Sequence, residues 1–306
     1  MYWGKKTAIS VASGKGGVGK SIFSANLALK LGAKGKRTVL VDADIGAANL
    51  HTILGIKYPD KTLRDFLDKT TETLGQALLE TAYANVRLLS SAGEILSLVF
   101  PNYQERQRLM RALQKLDADI IIFDIAAGTH QRATDFFTMA GIGILIVEPI
   151  PTSFENAFSF MKNLLIRALQ RYFYHNKEMT TTILDALDPK KAGKVLTLNE
   201  LLIQCEKKSP ANVIAFREQV LQGIRRFYLV ANSLRGSEQE KAAEEFRNVL
   251  QRLLSLDITV LGALPFEEHM NGAITQQVPF VVKYPESDYA RSMERMADNL
   301  ISSINQ

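Results

Sequence analysis

A short glycine- and lysine-rich segment near the amino terminus constrains the fold more than any other part of the chain. Residues 13–21 read SGKGGVGKS and follow the apolar run TAISVA at 7–12. Residues 14–21 fit the pattern G-x-x-x-x-G-K-[ST], in which glycines allow a tight turn whose backbone amides point at phosphate oxygens. A following helix adds its positive end. The segment therefore predicts a strand, a phosphate-binding loop and a helix in that order.

The rest of the chain alternates short apolar runs with helical patterns. The runs that we interpret as buried strands are 7–12, 37–44, 85–91, 119–125, 142–149, 226–232 and 258–265. The helical patterns cover 20–34, 101–115, 153–174, 237–255 and 286–304. Continuous apolar strands favour a parallel sheet that is covered on both faces. The sequence predicts a doubly wound α/β fold, a mostly parallel sheet with helices on both faces, as one domain over residues 1–306.

One stretch of about 50 residues breaks this alternation, too long for a structureless loop in a compact domain. It contains LTLNELLIQCEKK at 196–208 and SPANVIAFREQVLQGIRR at 209–226, which both have helical patterns. We predict a helical insertion of roughly two helices at about 175–225. Extra packing on one edge of the fold and a partner-binding surface both remain open as its role.

The phosphate-binding loop predicts how a nucleotide triphosphate such as ATP would bind. Lys20 would reach the β and γ phosphates, and the Ser21 hydroxyl would ligate Mg²⁺, which prefers oxygen ligands and keeps several waters. The predicted nucleotide-binding residues of this segment are Gly14, Gly16, Gly17, Val18, Gly19, Lys20, Ser21 and Ile22.

Three aspartates follow apolar strands. Asp42 and Asp44 end the run at 37–44, and Asp124 ends the run DIIIFD, as the aspartate of a Walker B motif does. The carboxyl ends of parallel strands line the ligand crevice of a doubly wound fold. We therefore expect the three carboxylates to converge on a cation and a triphosphate, although Asp42 or Asp44 alone would also suit a helix cap.

Five segments together resemble the MinD/ParA group of deviant Walker-A ATPases. They are SGKGGVGKS, VLVDADIGAANLHTILGI, FDIAAG, VANSLR and ALPFEEHMNGAITQQVPFVVKYPES, and they span nearly the whole chain outside 175–225. DADIGAANLHTILGI and the ending PFVVKYPESDYARSMERMA are most similar to the FlhG (FleN) branch, which controls flagellar number and placement. The resemblance implies a P-loop NTPase fold and an ATPase that dimerises with ATP, hydrolyses it slowly, and controls the position or number of a cellular structure.

The resemblance also implies roles for the catalytic residues Lys15, Lys20 and Asp44. Lys15 matches the signature lysine that reaches across an ATP-bound dimer to the phosphates of the other subunit. Positive charge on phosphate oxygens is the main source of catalysis in phosphoryl transfer, so a lysine supplied in trans would link hydrolysis to dimerisation. Asp44 would orient the attacking water. Without the resemblance, Lys15 could also be a solvated loop lysine.

Other roles follow from the same resemblance. Asp42 and Asp124 would join Ser21 around Mg²⁺, and Gly128 would belong to the loop that senses the γ-phosphate. Asn232 matches an adenine-reading asparagine, since an amide both donates and accepts, although a turn residue would also suit that position. Pro265 matches another loop that contacts the base.

Two features bear on partners and location. Met293, Met296, Leu300 and Ile304 form an apolar stripe with little positive charge after Arg295, which favours burial over a membrane-surface helix. The chain has one cysteine, Cys205, and a formal net charge of +5, which fit a cytoplasmic protein that makes no internal disulfide. The expected partners are a second copy of the chain and a protein client, and a peripheral location at a membrane or at the nucleoid stays open.

Two other functions remain as alternatives. A ParA-like partition ATPase would bind DNA non-specifically through basic residues of the carboxyl-terminal half, for which the candidates are Arg217, Arg225, Arg226, Arg235, Arg247 and Arg252. A metabolic P-loop enzyme would need a second substrate pocket, for which Cys205 is the only candidate nucleophile in the sequence.

Overall fold

The computed structural model describes residues 3–44, 48–92, 103–128, 140–192, 198–216, 226–254 and 256–305, together with 134, 136–138 and 218. Its strands are β1 (Thr7–Ala12), β2 (Thr38–Ala43), β3 (Leu79–Glu80), β4 (Val86–Leu89), β5 (Ile120–Ile125), β6 (Ile142–Val147), β7 (Arg226–Leu234) and β8 (Ile258–Pro265). All seven predicted strands are present. The two-residue strand β3 was not predicted, because so short a run carries no readable pattern.

The strands form one sheet in the order β3-β4-β2-β5-β1-β6-β7-β8, with β1 and β5 at its centre. Every pair is parallel except β3 with β4, which is antiparallel over two residues. Asp42 of β2 and Asp124 of β5 are partners in the register. Parallel pairing therefore brings the phosphate-binding loop and the acidic strand ends to one edge of the sheet.

The longer helices are α1 (Lys20–Ala33), α2 (Tyr103–Lys115), α3 (Pro151–Tyr172), α4 (Lys177–Leu187), α5 (Leu198–Lys208), α6 (Pro210–Phe216), α7 (Ser237–Leu254) and α8 (Asp288–Ile304). Short helical segments lie at Leu50–Ile53, Leu63–Leu67, Leu74–Ala77, Pro189–Ala192, Met270–Thr275 and Phe280–Lys283. None of the helices described in the structure is both long enough and apolar enough to cross a membrane.

The two faces of the sheet carry separate hydrophobic cores. One core includes Phe23 of α1 and Met293 of α8, and the other includes Leu113 of α2, Leu164 of α3 and Leu250 of α7. Helices thus cover both faces of a mostly parallel sheet, and the predicted doubly wound α/β fold is confirmed.

The stretch between α3 and β7 contains more helix than the sequence predicted. We call α4, α5, α6 and Pro189–Ala192 the 177–216 helices. The prediction of two helices was wrong because it assigned Lys177–Leu187 and Pro189–Ala192 to no helix. Asn176 caps the first of these helices, and its side chain accepts a hydrogen bond from the Met179 amide at 3.1 Å. The predicted second helix, 209–226, extends beyond the described residues, and the structure shows Pro210–Phe216.

The carboxyl-terminal helix is buried on one side, as its apolar stripe predicted. Met293, Met296 and Leu300 are no more than 1% exposed. On its other side, Lys34 of α1 pairs with Glu294 and lies 2.7 Å from Asp298. The stripe is therefore occupied by the core of the protein.

Candidate nucleotide-binding site

The phosphate-binding loop runs from the end of β1 to the first turn of α1, as the sequence predicted. Gly19 precedes the helix with a φ of 85°, which a residue with a side chain rarely adopts. Gly14 lies against α3 so closely that a Cβ there would stand 2.2 Å from the backbone carbon of Asn156. Glycine is therefore required at Gly19 by conformation and at Gly14 by space. A Cβ at Gly16 or Gly17 would meet no atom of the described residues within 4 Å.

The two lysines of the loop have opposite surroundings. Lys20 is 7% exposed, and its Nζ lies 2.9 Å from Asp124 Oδ1, 3.9 Å from Asp44 Oδ2 and 3.5 Å from Ser21 Oγ. Lys15 is exposed, and the loop is held beside it by the Ser13 hydroxyl, which donates to the Lys15 carbonyl at 2.9 Å. One lysine is thus set among carboxylates while the other is presented to the exterior.

The acidic residues around Lys20 are held at the strand ends by β2 and β5. Asp42 is 1% exposed and accepts hydrogen bonds from the backbone amides of Asp44 at 3.2 Å and Leu50 at 3.3 Å. Burial, followed by the charge of Asp124, raises the pKa of Asp42 to about 7. Burial also raises the pKa of Asp44, with Lys20 opposing it. The raised pKa values mean that the ionised forms of these carboxyls are disfavoured. A bound cation would stabilise the ionised forms.

The two side-chain oxygens of Asp124 differ in their hydrogen bonds. Its Oδ1 accepts from Lys20 and from the Ser24 hydroxyl at 3.0 Å, whereas the buried Oδ2 has no hydrogen-bond partner among the residues that the structure describes. Native structures rarely leave a buried carboxylate oxygen unpaired. An oxygen in this condition beside Ser21 and Asp42 fits the outer shell of Mg²⁺.

The described residues contain no group of three or more His, Cys, Asp or Glu side chains that could hold a metal ion by themselves. Mg²⁺ usually keeps several waters and takes one or two carboxylates together with substrate phosphates. The Ser21, Asp42 and Asp124 set fits that pattern and not an all-protein cage.

A cavity of about 200 Å³ lies beside the loop and contains the predicted base-contacting residues. Its lining residues are Gly17, Gly19, Ile22, Asn232, Ser233, Pro265, Phe266, Glu267, Glu268, Met270, Asn271 and Tyr289. Asn232 donates through Nδ2 to the Val18 carbonyl at 2.8 Å, so the asparagine touches the loop directly. The cavity therefore joins the loop to the ends of β7 and β8.

Sequence reasoning missed two contributors to the site. Ser24 of α1 contacts Asp124, whereas Asn26 on the same helix accepts from the Val281 amide. Phe266 was also missed. It is 39% exposed and lines the cavity, and the Arg235 guanidinium lies over its ring, 3.6 Å from the ring centre. One sequence signal could have indicated the role of Ser24: it lies four residues after Lys20 and therefore on the same side of α1.

The arginines proposed for DNA binding are used differently from one another. Arg235 covers Phe266, and Arg247 lies 3.1 Å from Glu244. Arg226 belongs to β7 and Arg252 to the last turn of α7, while Arg217 and Arg225 lie outside the described residues. Cys205 is buried, and burial raises the pKa of its thiol to about 11, which does not suit a nucleophile.

Comparisons with known proteins find relatives over about half of the chain. The antiactivator FleN of Pseudomonas aeruginosa is 35% identical over 156 residues, covering 50% of this chain and 55% of FleN. The flagellum site-determining protein YlxH of Helicobacter pylori is 30% identical over 165 residues, covering 52% of this chain and 54% of YlxH. The chain spans about half the length of these curated relatives.

Two solved structures share the fold over nearly the whole chain. The MinC:MinD cell division protein complex of Aquifex aeolicus matches with a TM-score of 0.66 and 18% identity, covering 97% of this chain and 96% of that one. MinD of Pyrococcus horikoshii complexed with Mg-ADP matches with a TM-score of 0.61 and 22% identity, covering 98% and 99%. The CobQ/CobB/MinD/ParA nucleotide binding domain matches residues 9–280, and the chain belongs to that family.

Proposed function

We propose that this protein is an ATP-dependent switch ATPase of the MinD/FlhG type, which dimerises with ATP and hydrolyses it slowly to ADP and phosphate. The observation that carries the proposal is the opposite placement of two lysines on one loop. Lys20 is buried among carboxylates, and Lys15 is exposed together with Gly16 and Gly17 of the same loop. A lysine that faces outwards beside a phosphate site is available to a nucleotide held by another subunit.

The chain's own residues account for the chemistry expected at the site. Lys20 would leave Asp124 and neutralise the β and γ phosphates. Asp44, whose Oδ2 lies 3.9 Å from Lys20 Nζ, would orient a water for in-line attack. Mg²⁺, held through Ser21, Asp42 and Asp124, would neutralise charge on the phosphates. Asn232 and Pro265 would contact the adenine in the adjoining cavity, which would fix the nucleotide's orientation.

The relatives suggest the biological setting. Because FleN is an antiactivator and YlxH a flagellum site-determining protein, we propose that this chain controls the position or number of a cellular structure such as a flagellum or a division site. Such a protein acts as a timer, because slow hydrolysis sets how long the ATP-bound state lasts. Without a partner, it should hydrolyse ATP at a rate below the range of about 1–100 per second that is typical of kinases. A rate within that range for the isolated protein would contradict the timer role.

Dimerisation is the first test. Light scattering coupled to gel filtration should show the Asp44→Ala variant as a monomer with ADP and a dimer with ATP, since removal of the water-orienting group traps the ATP state. Lys15→Ala should stay monomeric with both nucleotides. Lys241→Ala, which removes another exposed lysine on α7, is the matched control and should behave like the parent protein. A Lys15→Ala protein that dimerises normally and hydrolyses at the parent rate would remove the proposed role of Lys15.

The surface that the dimer recognises is a separate question. We propose a protein client as the partner of the dimer, because the apolar stripe of α8 is already buried. Cosedimentation of Asp44→Ala with anionic liposomes or with plasmid DNA at low salt, with ATP and with ADP, separates the alternatives. ATP-dependent capture by either would replace the protein client as the first partner.

A further inference from the structure

We propose that Ser24 is a positioning residue that holds Asp124 in place while the positive charge beside it changes from the Lys20 ammonium to Mg²⁺. This inference rests on the proposed function, because it assumes that a magnesium nucleotide binds at the loop. Ser24 does not reach the nucleotide in this proposal. It acts on the carboxylate that orients the metal-bound water.

The hydroxyl of Ser24 has two acceptors within reach and one proton to give. Its Oγ lies 3.0 Å from the Lys20 carbonyl, one turn earlier in α1, and 3.0 Å from Asp124 Oδ1. The residue is 0% exposed, so water does not compete for the proton. A buried serine on a helix is satisfied by the carbonyl four residues before it. The second acceptor is therefore beyond what a structural serine needs.

The charges around Asp124 explain why a second donor is useful. Lys20 Nζ lies 2.9 Å from the same Oδ1 that faces Ser24. When Lys20 moves to the phosphates, this oxygen loses its charged donor. Of the two donors on Oδ1 in the described structure, the Ser24 hydroxyl then remains. By turning from the Lys20 carbonyl to Oδ1, it would keep the carboxylate in one orientation with Oδ2 directed at the metal shell.

Such an arrangement has a definite signature. Groups that orient metal ligands typically change metal affinity or activity 10–100-fold when they are removed. Loss of the Ser24 hydroxyl should therefore raise the Mg²⁺ concentration that half-saturates the Mg²⁺-dependent increase in ADP affinity. It should leave ADP affinity without Mg²⁺ nearly unchanged, because Lys20 and the loop amides would still bind the phosphates.

The test compares Ser24→Thr with Ser24→Val by calorimetric ADP titrations over a series of Mg²⁺ concentrations. Threonine and valine have nearly the same shape, so both variants carry the same packing burden at this fully buried position and differ in the hydroxyl. The half-saturating Mg²⁺ concentration should be about 10-fold higher for the valine variant than for the threonine variant. A ratio under about twofold would overturn the proposal.

Ser10→Ala is the matched control for the loss of a buried serine hydroxyl. Ser10 is also 0% exposed, lies on β1, and donates to the Phe136 carbonyl at 3.2 Å, away from the carboxylates. Ser24→Ala should raise the Mg²⁺ requirement and Ser10→Ala should not, even where their thermal stabilities fall equally. Equal shifts in the two variants would mean that Ser24 is structural and would overturn the proposal.

The same titrations separate this inference from the proposed function. If the parent protein showed no Mg²⁺-dependent nucleotide binding, the proposed function itself would fail. If the parent bound magnesium nucleotide normally and the Thr and Val variants were indistinguishable, only the role of Ser24 would be lost.

Discussion

Two regions of the protein bury different kinds of side chain. The carboxyl edge of β1, β2 and β5 buries the charged residues Lys20, Asp42 and Asp124. The 177–216 helices bury apolar residues and a cysteine, namely Met179, Ile183, Leu202, Cys205 and Phe216. Within the described part of the chain, the first region leaves Oδ2 of Asp124 without a hydrogen-bond partner. The second packs aromatic rings, with the ring centre of Phe216 5.5 Å from that of Tyr172 and 6.1 Å from that of Phe173. Charge is kept at the strand ends at a cost in stability, while the helices add apolar packing. The contrast indicates that the nucleotide site is shaped for a ligand and that the 177–216 helices are first a structural layer.

The largest effect is expected when the Lys20 ammonium is removed from among the buried carboxylates. Lys20→Ala should lower the free energy of unfolding by about 3 kcal/mol, because it leaves buried carboxylates without their counter-charge, and should abolish hydrolysis. Adding Asp124→Asn should restore more than half of the stability but none of the hydrolysis. Urea unfolding and phosphate release measure the two effects. Equal instability of the single and double variants would contradict the charge argument.

A similar loss of stability in the other region should leave nucleotide binding intact. Phe216→Ala should destabilise the protein by about 3 kcal/mol, since it removes a fully buried aromatic side chain. ADP affinity, measured by calorimetry well below the melting temperature, should match the parent protein within about twofold. A large loss of affinity would mean that the 177–216 helices are coupled to the site, and the contrast between the regions would then be wrong.

Neutralising one carboxyl of the site should have the opposite sign. Asp42→Asn removes a buried negative charge next to Asp124. It also loses one of two hydrogen bonds, because the Asp44 and Leu50 amides donate to different carboxylate oxygens and asparagine keeps only one acceptor oxygen. We expect the relief of the buried charge to outweigh the lost bond. The melting temperature of the nucleotide-free protein should rise by about 2 °C, the shift for roughly 1 kcal/mol in a protein of this size. Mg²⁺-dependent nucleotide affinity should fall. Scanning calorimetry measures the stability gain. An unchanged or lower melting temperature would show that the buried charges of Asp42 and Asp124 do not destabilise the folded protein.

The smallest effect concerns Cys205. Its thiol is buried and its pKa is raised to about 11, so a thiol reagent at pH 8 should react with it only through opening of the 177–216 helices. Labelling should be slow in the folded protein, rapid in urea, and no different with ADP. Rapid labelling of the folded protein would expose a mobile region where we infer a packed one, and protection by ADP would link it to the site.

The sequence predicted the sheet and the loop well because both are local. TAISVA, SGKGGVGKS and DIIIFDI each carry their own pattern of apolar runs, glycines and terminal charge, and parallel pairing then determines where Asp42 and Asp124 meet. The burial of α8 also followed from its stripe of methionine and leucine. These features need no knowledge of distant partners.

The missed features depend on contacts between distant segments. Ser24 becomes notable only because β5 delivers Asp124 beside it, a separation of 100 residues. Phe266 is an ordinary loop residue until Arg235 covers its ring at the mouth of the cavity. Lys177–Leu187 was not predicted as a helix because its polar face, with Glu178, Thr181 and Asp185, weakens the apolar pattern. Roles of this kind are set by tertiary packing and not by spacing along the chain.

The central claim, that Lys15 acts on the nucleotide of the other subunit, is tested most directly by mixing two inactive proteins. Lys15→Ala and Asp44→Ala are combined before ATP is added, and phosphate release is compared with each variant alone. If Lys15 acts in trans, a dimer of one Lys15→Ala and one Asp44→Ala subunit contains one complete site, and the mixture should release phosphate faster than either variant alone. The rate should stay below about half of the parent rate, because at most one of the two sites in such a dimer is active. If Lys15 acts within its own subunit, no site in the mixture is complete, and a rate no higher than that of the separate variants would contradict the account.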